Sequence, residues 1–350
     1  MDILALGGTG AMGIHLIKLL SEDANNYITV SSRRNHPNKE NLSYVQGNAH
    51  DIVFLSQLLK KKYDIIVDFM NYRTDEFRER YQLLLSSCHQ YIFLSSSRVY
   101  ANSEEPIKED SPRLLDIVED AVYLASDEYA LAKARQENML FDASSTNWTI
   151  IRPYITYSEN RLQLGVMEKE EWLYRALHKR SIVFSKDIAP HTTTLTYGCD
   201  VARAMAALIG RKGAEGEAFH ITSSESIRWA EVFDIYLQVL EKKKGKRPVF
   251  FMTDQVVNSQ YRKYQVEYDR LFNRRFDNSK IGNFIDLSTF VSPRKGLPFC
   301  LESLCKHSVF RSINWSQEAK YDSLTHERVS LQEIPTIKQK VKYFLYRYII

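Results

Sequence analysis

Short apolar runs alternate with stretches of helical spacing through the first two-thirds of the chain. Residues 2–6, 27–31, 42–46, 65–69, 91–95, 148–152 and 218–221 read as strands. Several of these runs are apolar throughout rather than alternating, which marks strands buried on both faces. Between them, apolar positions at helical intervals predict a helix from Ile14 onward and further helices over 52–59, 76–87, 125–142 and 200–209. Strand and helix in alternation build a parallel sheet with helices on both faces. The expected fold is therefore α/β, a Rossmann-type doubly wound parallel sheet. Residues 154–195 break the rhythm, with one helix near 170–178, and from about Ser223 onward the pattern is helices and loops without sheet rhythm. The expectation is a sheet domain over 1–155 plus 196–222, and a smaller, mainly helical, lid-like C-terminal domain over 156–195 plus 223–350.

The first strand runs straight into Gly7-Gly8-Thr9-Gly10-Ala11-Met12-Gly13 and then a helix. Strand, glycine turn and helix in that order form the dinucleotide-binding fingerprint. Glycine lets the chain turn tightly and lets a pyrophosphate approach backbone with no Cβ between them. Free N–H groups of the first helical turn then face the phosphates. A dinucleotide enzyme that uses NAD usually ends its second strand with an acid for the ribose 2′-hydroxyl. Here the chain offers Ser31-Ser32-Arg33-Arg34, which suits a 2′-phosphate. NADP is the favoured cofactor and NAD the alternative.

Bulk properties narrow the setting. The chain has 350 residues, 44% hydrophobic and 26% charged, with a net charge of +4. That composition fits a globular protein with ample core, and the charge is too small to demand nucleic acid. No run approaches the ~20 apolar residues of a membrane span. The N-terminal apolar run lacks a basic flank and is broken by glycines, so it reads as a strand rather than a secretion signal. Four scattered cysteines, with no Cys-x-x-Cys and no His-Glu-x-x-His, argue against zinc and for a reducing cytoplasm.

Tyr129-Ala130-Leu131-Ala132-Lys133 lies in an expected helix, where positions i and i+4 share a face. An ammonium beside a phenol favours the phenolate, so Tyr129 can exchange a proton with a hydroxyl or carbonyl near neutral pH. Upstream, Leu94-Ser95-Ser96-Ser97-Arg98-Val99-Tyr100 follows a buried strand at its carboxyl end, where open α/β sheets bind ligands.

The glycine pattern, the Ser-Ser-x-x-Val-Tyr turn and the Tyr-x-x-x-Lys helix together resemble the extended short-chain dehydrogenase/reductase superfamily. Within it they look most like the NAD-dependent epimerase/dehydratase family of nucleotide-sugar enzymes. Glu109-Asp110-Ser111-Pro112, Glu137, Arg152-Pro153, Asp200-Val201-Ala202 and the late Asp277-Asn278-Ser279-Lys280 extend the likeness. It covers residues 1–222 firmly and the remainder loosely. The resemblance implies that Tyr129 is the acid/base, that Lys133 binds the nicotinamide ribose, and that Ser96 bonds the reacting oxygen, with Ser97 as the fallback. It also implies cofactor contacts from Gly7, Thr9, Gly10, Met12, Gly13, Ser32, Arg33, Arg34, Asn48, Lys133 and Pro153, and no metal.

Departures from the family pattern shape the expected chemistry. Dehydratases place an Asp-Glu pair before Val-Tyr, and here Ser97-Arg98 stands there. That disfavours water elimination and leaves epimerisation or carbonyl reduction of a nucleotide-activated sugar. Asn48 replaces an aspartate after Gly47, weakening an adenine contact, and Ala101 replaces a glycine. Atypical members of the superfamily sense NADP or bind RNA without chemistry. They commonly lose the tyrosine or lysine, both of which this chain keeps. Reduction of a non-sugar carbonyl compound is a third reading.

Residues 241–280 carry eleven Lys/Arg and five Asp/Glu interleaved with Tyr261, Tyr264, Tyr268, Phe272 and Phe276. Such a surface fits a nucleotide diphosphate as well as it fits a solvated helix face. His191 and Arg161 fall where family members touch sugar. Lysines and aromatics alternate over 337–350, which reads as a helix packed on the second domain; contact with anionic lipid, in keeping with surface-polysaccharide synthesis, is the alternative. Family members often pair through the tyrosine helix, so a homodimer with no nucleic-acid partner is expected.

Overall fold

The computed structural model describes residues 1–254, 259–307 and 309–349. The chain folds as two units: Met1–Ser158 with Thr194–Glu225 and Arg275–Ser292, and Glu159–Thr193 with Ser226–Arg274 and Pro293–Ile350.

Seven strands form the first unit's sheet. They are β1 (Asp2–Leu6), β2 (Tyr27–Ser32), β3 (Leu42–Gln46), β4 (Tyr63–Asp68), β5 (Cys88–Leu94), β6 (Trp148–Pro153) and β7 (Glu217–Ile221). Their order is β7-β6-β5-β4-β1-β2-β3, and every pairing is parallel. Five main helices accompany them: α1 (Gly13–Ser21), α2 (Ile52–Leu58), α3 (Thr74–Ser86), α4 (Tyr129–Phe141) and α5 (Gly198–Leu208).

The strand period of two divides the apolar side chains between two cores. Ile3 and Ala5 of β1 join Leu16, Ile17, Val201 and Met205 on one face. Leu4 and Leu6 join Leu55, Phe77, Leu84 and Leu140 on the other. Each fully buried Leu or Ile stabilises by about 1.5–3 kcal/mol relative to exposure, so both faces favour the same register. The strand order reverses between β1 and β4, and at such a point the carboxyl ends of the strands leave a crevice.

The structure corrects three local expectations. The helix expected over 125–142 begins only at Tyr129, as α4, and a separate short helix, Ala121–Ala125, precedes it. Asp120 accepts hydrogen bonds from the N–H groups of Val122 and Tyr123, and Glu128 accepts one from Ala130 N at 2.8 Å. Each carboxylate satisfies the orphan donors of a new helix start, which breaks the run. Residues 154–195 contain short strands rather than irregular chain, among them Ile155–Tyr157 paired in parallel with Leu195–Tyr197. Strands also recur beyond Ser223. Ile227–Arg228 pairs with Thr192–Thr193, and Phe250–Thr253 pairs in parallel with Ile182–Ser185. Strands of two to four residues satisfy backbone groups locally but are too short to print an alternating pattern.

The second unit packs helices around large side chains. Trp172, in the helix Lys169–Leu177, stacks on Tyr236 of Trp229–Lys244 at 4.4 Å and 1°. Arg175 is buried between Glu318 (3.0 Å) and Asp322 (2.8 Å), and Arg180 also reaches Glu318 at 2.9 Å. Burial pushes Glu318 up to about 7 against the pull of these two guanidinium groups. The helix Ile337–Tyr348 is held through Tyr343, whose hydroxyl donates to Asp322 at 2.6 Å. The basic aromatic stretch is not one continuous surface. Arg270 and Arg274 are buried against Asp269, while Tyr264 and Tyr268 stack at 6.1 Å. The Tyr261 side chain and Ile350 lie outside the described residues.

Candidate active site

The glycine turn occupies the carboxyl end of β1. Gly7 has φ +69°, a left-handed conformation that disfavours any residue with a Cβ. A Cβ on Gly13 would run into the Gly8 carbonyl, so α1 starts flush against the turn. Gly10 is the opposite case: nothing lies within 4 Å of where its Cβ would stand. Its backbone therefore borders open space that a ligand can enter. The N-cap residue Met12 makes no side-chain cap, and the first turn of α1 holds no acid. A helix start without an acid, beside an open glycine turn, fits a pyrophosphate.

The other cofactor candidates sit along the same sheet edge. β2 ends at Ser32, beside Leu6 through its Ser31 neighbour in the register. Ser32 Oγ accepts from Arg34 N at 3.2 Å and contacts His36 Nε2 at 3.1 Å. Arg33 and Arg34 are exposed. Asn48 follows the end of β3 and is also exposed, its side-chain oxygen accepting from His50 N. Thr9 is exposed on the turn, while Met12 Sδ lies 3.6 Å from Thr156 Oγ1. Pro153 closes β6 opposite Ile221.

The three catalytic candidates converge where α4 meets the end of β5. Lys133 is buried, and its ammonium donates to the carbonyls of Leu94 (2.8 Å) and Met70 (3.3 Å). It also lies 4.5 Å from the centre of the Phe93 ring. Burial pushes the ammonium down to about 8, with Asp68 and Glu137 opposing the shift. Tyr129 stands one helical turn earlier and is half-buried. Arg98 places its guanidinium 5.3 Å from the centre of that ring and bonds Glu128 at 2.7 Å.

Geometry separates the three serines. Ser95 Oγ donates to Glu137 at 2.6 Å, and Ser97 Oγ donates to the Arg152 carbonyl at 2.7 Å. Ser96 Oγ caps the short turn that follows β5, accepting from Arg98 N at 3.2 Å. Among the described residues its own proton has no recorded acceptor. Ser96 is thus the serine with a hydroxyl to offer, and Ser97 is committed to backbone.

A buried ionic scaffold fixes α4. Glu137, two turns after Tyr129, takes a bidentate pair from Arg152 of β6, at 2.8 Å and 2.9 Å. Arg113 adds a contact at 3.3 Å. Burial works against the Arg152 charge, but Glu137 and Tyr100 hold it above the usual arginine range. Sequence reasoning did not assign these contacts a role, nor did it single out Asp68. That carboxylate ends β4, is fully buried, and accepts from Tyr91 OH at 2.8 Å and Met70 N at 2.9 Å. Burial raises its pKa, with those hydrogen bonds and Lys133 pulling the other way. An acid closing the apolar run Ile65-Ile66-Val67 was the signal available. Arg161 and His191 belong to the second unit, where Arg161 pairs with Glu168 at 2.8 Å and the His191 carbonyl accepts from Trp229 N at 3.0 Å.

A parallel sheet in this strand order, with a glycine turn leading from an inner strand into a helix, defines a Rossmann-type dinucleotide fold. The NAD dependent epimerase/dehydratase family matches residues 3–222, and the chain belongs to that family. A curated relative is the chloroplast stem-loop binding protein of 41 kDa b of Arabidopsis thaliana, 26% identical over 242 residues. The match takes in 64% of this chain and 59% of that protein, so the chain spans about three-fifths of the relative's length. Similar solved structures include UDP-glucuronic acid 4-epimerase from Bacillus cereus in complex with UDP-glucuronic acid and NAD. It is 19% identical, has a TM-score of 0.66, and covers 87% of this chain and 99% of its own. A dTDP-glucose 4,6-dehydratase from Bacillus anthracis in complex with NAD is 16% identical, with a TM-score of 0.65 and coverage of 88% and 97%. At these identities the likeness speaks for the fold.

Proposed function

We propose that the chain is an NAD(P)-dependent enzyme of the extended short-chain type that epimerises or reduces a nucleotide-activated sugar. The observation that carries this reading is Lys133, anchored on the Leu94 carbonyl beside Ser96 and one turn from Tyr129. In this reading Tyr129 Oη gives and takes the proton of the reacting hydroxyl or carbonyl. Lys133 favours its phenolate, and the Arg98 guanidinium over the ring adds to that. Ser96 Oγ donates to the reacting oxygen and fixes its direction. The dinucleotide, held by Gly7, Thr9, Gly10, Met12 and Gly13 with Asn48 and Pro153, supplies hydride transfer when bound. Ser32, Arg33 and Arg34 are assigned the 2′-phosphate of NADP, with NAD as the alternative that the solved neighbours carry. The second unit is assigned substrate recognition, and the working assembly a homodimer.

A second reading takes support from the relative named for stem-loop binding. In that second reading this chain binds RNA and its own site is idle. Retention of Tyr129, Lys133 and a donor-ready Ser96 favours the enzymatic reading. Titration with NADPH and NADH, with UDP-, GDP- and dTDP-sugars followed by absorbance at the nicotinamide band for net reduction and by chromatography of the sugar nucleotides for epimerisation, separates the two. Cofactor binding with turnover of a sugar nucleotide supports the first reading. Tight stem-loop RNA binding with no turnover across the panel supports the second.

A further inference from the structure

The helix Ile337–Tyr348 turns an apolar stripe to solvent. Its inward side is fixed: Tyr343 is buried with its hydroxyl on Asp322, Arg347 donates to the Glu327 carbonyl, and Tyr346 lies 5.4 Å from the Lys320 ammonium. At about 100° per residue, Ile337, Val341, Phe344, Leu345 and Tyr348 fall within an arc of about 100° on the side roughly opposite Tyr343. All five are exposed, Ile337 at 80% and Val341 and Phe344 at 54% each. Lys340 borders one side of the stripe, and Lys338 and Lys342 border the other. The helix contains no acidic residue.

A row of apolar and aromatic side chains between two rows of lysines matches a bilayer interface on both counts. The stripe enters the acyl boundary, the aromatic rings sit at headgroup depth, and the ammonium groups meet phosphates. A nucleic acid would use the lysines and leave the stripe wet. No described helix is long and apolar enough to cross a membrane, so the contact is peripheral. We propose that this helix docks the protein, lying flat, on a membrane surface rich in anionic lipid. The assignment is independent of the proposed catalysis.

The test is co-sedimentation of the full chain with sucrose-loaded vesicles of phosphatidylcholine alone and of phosphatidylcholine with phosphatidylglycerol. Binding to the anionic vesicles, weakened by salt, is expected. Each lysine replaced by alanine should weaken it by roughly fivefold. Val341→Glu with Phe344→Glu should abolish it, while an unchanged thermal melt shows that the fold is intact. Lys338→Ala with Lys342→Ala tests the charges with the stripe left whole. Absence of binding to anionic vesicles overturns the proposal. So does equal binding to both vesicle types, or a concentration-dependent dimer in light scattering that Phe344→Glu dissolves.

Discussion

Replacing Glu137 by glutamine isolates the ionic scaffold that holds the catalytic helix. Glu137 Oε1 accepts from Arg152 Nε at 2.8 Å and from Ser95 at 2.6 Å, and Oε2 accepts from Arg152 Nη2 at 2.9 Å. Glutamine keeps the shape but turns an NH2 toward a buried guanidinium and removes the charge that balances it. Breaking one side of a buried ion pair costs about 3–5 kcal/mol, most of it from the charge left behind. For a domain of this size each kcal/mol lowers Tm by about 2–4 °C, so a fall of about 6–20 °C is expected in calorimetry. The double variant Glu137→Leu with Arg152→Met should recover most of that loss, because removing both charges removes the desolvation cost as well. The loss should also appear in hydrogen exchange, as faster exchange across α4. A Tm within about 2 °C of the parent for Glu137→Gln alone would refute the reasoning. The pair would then contribute nothing to holding Tyr129 and Lys133 in place.

Other expectations follow from single groups. The folded-state pKa of Lys133 is depressed to about 8 from 10.5, so the unfolded chain binds the proton more tightly. Its contribution to stability therefore rises with pH between those values, and the unfolding free energy of the parent relative to Lys133→Met should climb by about 3 kcal/mol across that window in urea melts. A flat difference would contradict burial of the ammonium. Gly10→Ala should leave Tm unchanged and weaken dinucleotide binding at least ~10-fold, since its Cβ meets no protein atom but enters the ligand's space. Gly13→Ala should lower Tm, because its Cβ would strike the Gly8 backbone; isothermal titration and thermal melts distinguish the two. Arg33→Ala with Arg34→Ala should weaken NADPH binding by about 1–3 kcal/mol and leave NADH untouched.

The sheet was readable because its strands are buried on both faces and so appear as uninterrupted apolar runs, as at Ile3 to Leu6 and Ile65 to Val67. The tyrosine and lysine were readable because helical spacing is local. The gap before Tyr129 was not, because alanine and leucine run on both sides of it and the decision rests on Asp120 and Glu128 capping separate helices. Phe250–Thr253 escaped notice for a related reason: its pairing with Ile182–Ser185 joins segments far apart in sequence. The same holds for the site's surroundings. Nothing near Lys133 in sequence foretells the Leu94 and Met70 carbonyls, and nothing near Arg98 foretells that it covers the Tyr129 ring. Which of three adjacent serines keeps a hydroxyl to offer depends on Glu137 and Arg152, which lie on other elements.

Turnover by Tyr129→Phe tests the central claim most directly. The substitution deletes one hydroxyl from a half-buried ring and leaves the glycine turn and the Lys133 contacts in place. With a sugar nucleotide that the parent enzyme turns over, the account expects kcat to fall by at least ~100-fold while NADPH affinity stays the same. Unchanged kcat would contradict it, because the proton would then be moving through some other group.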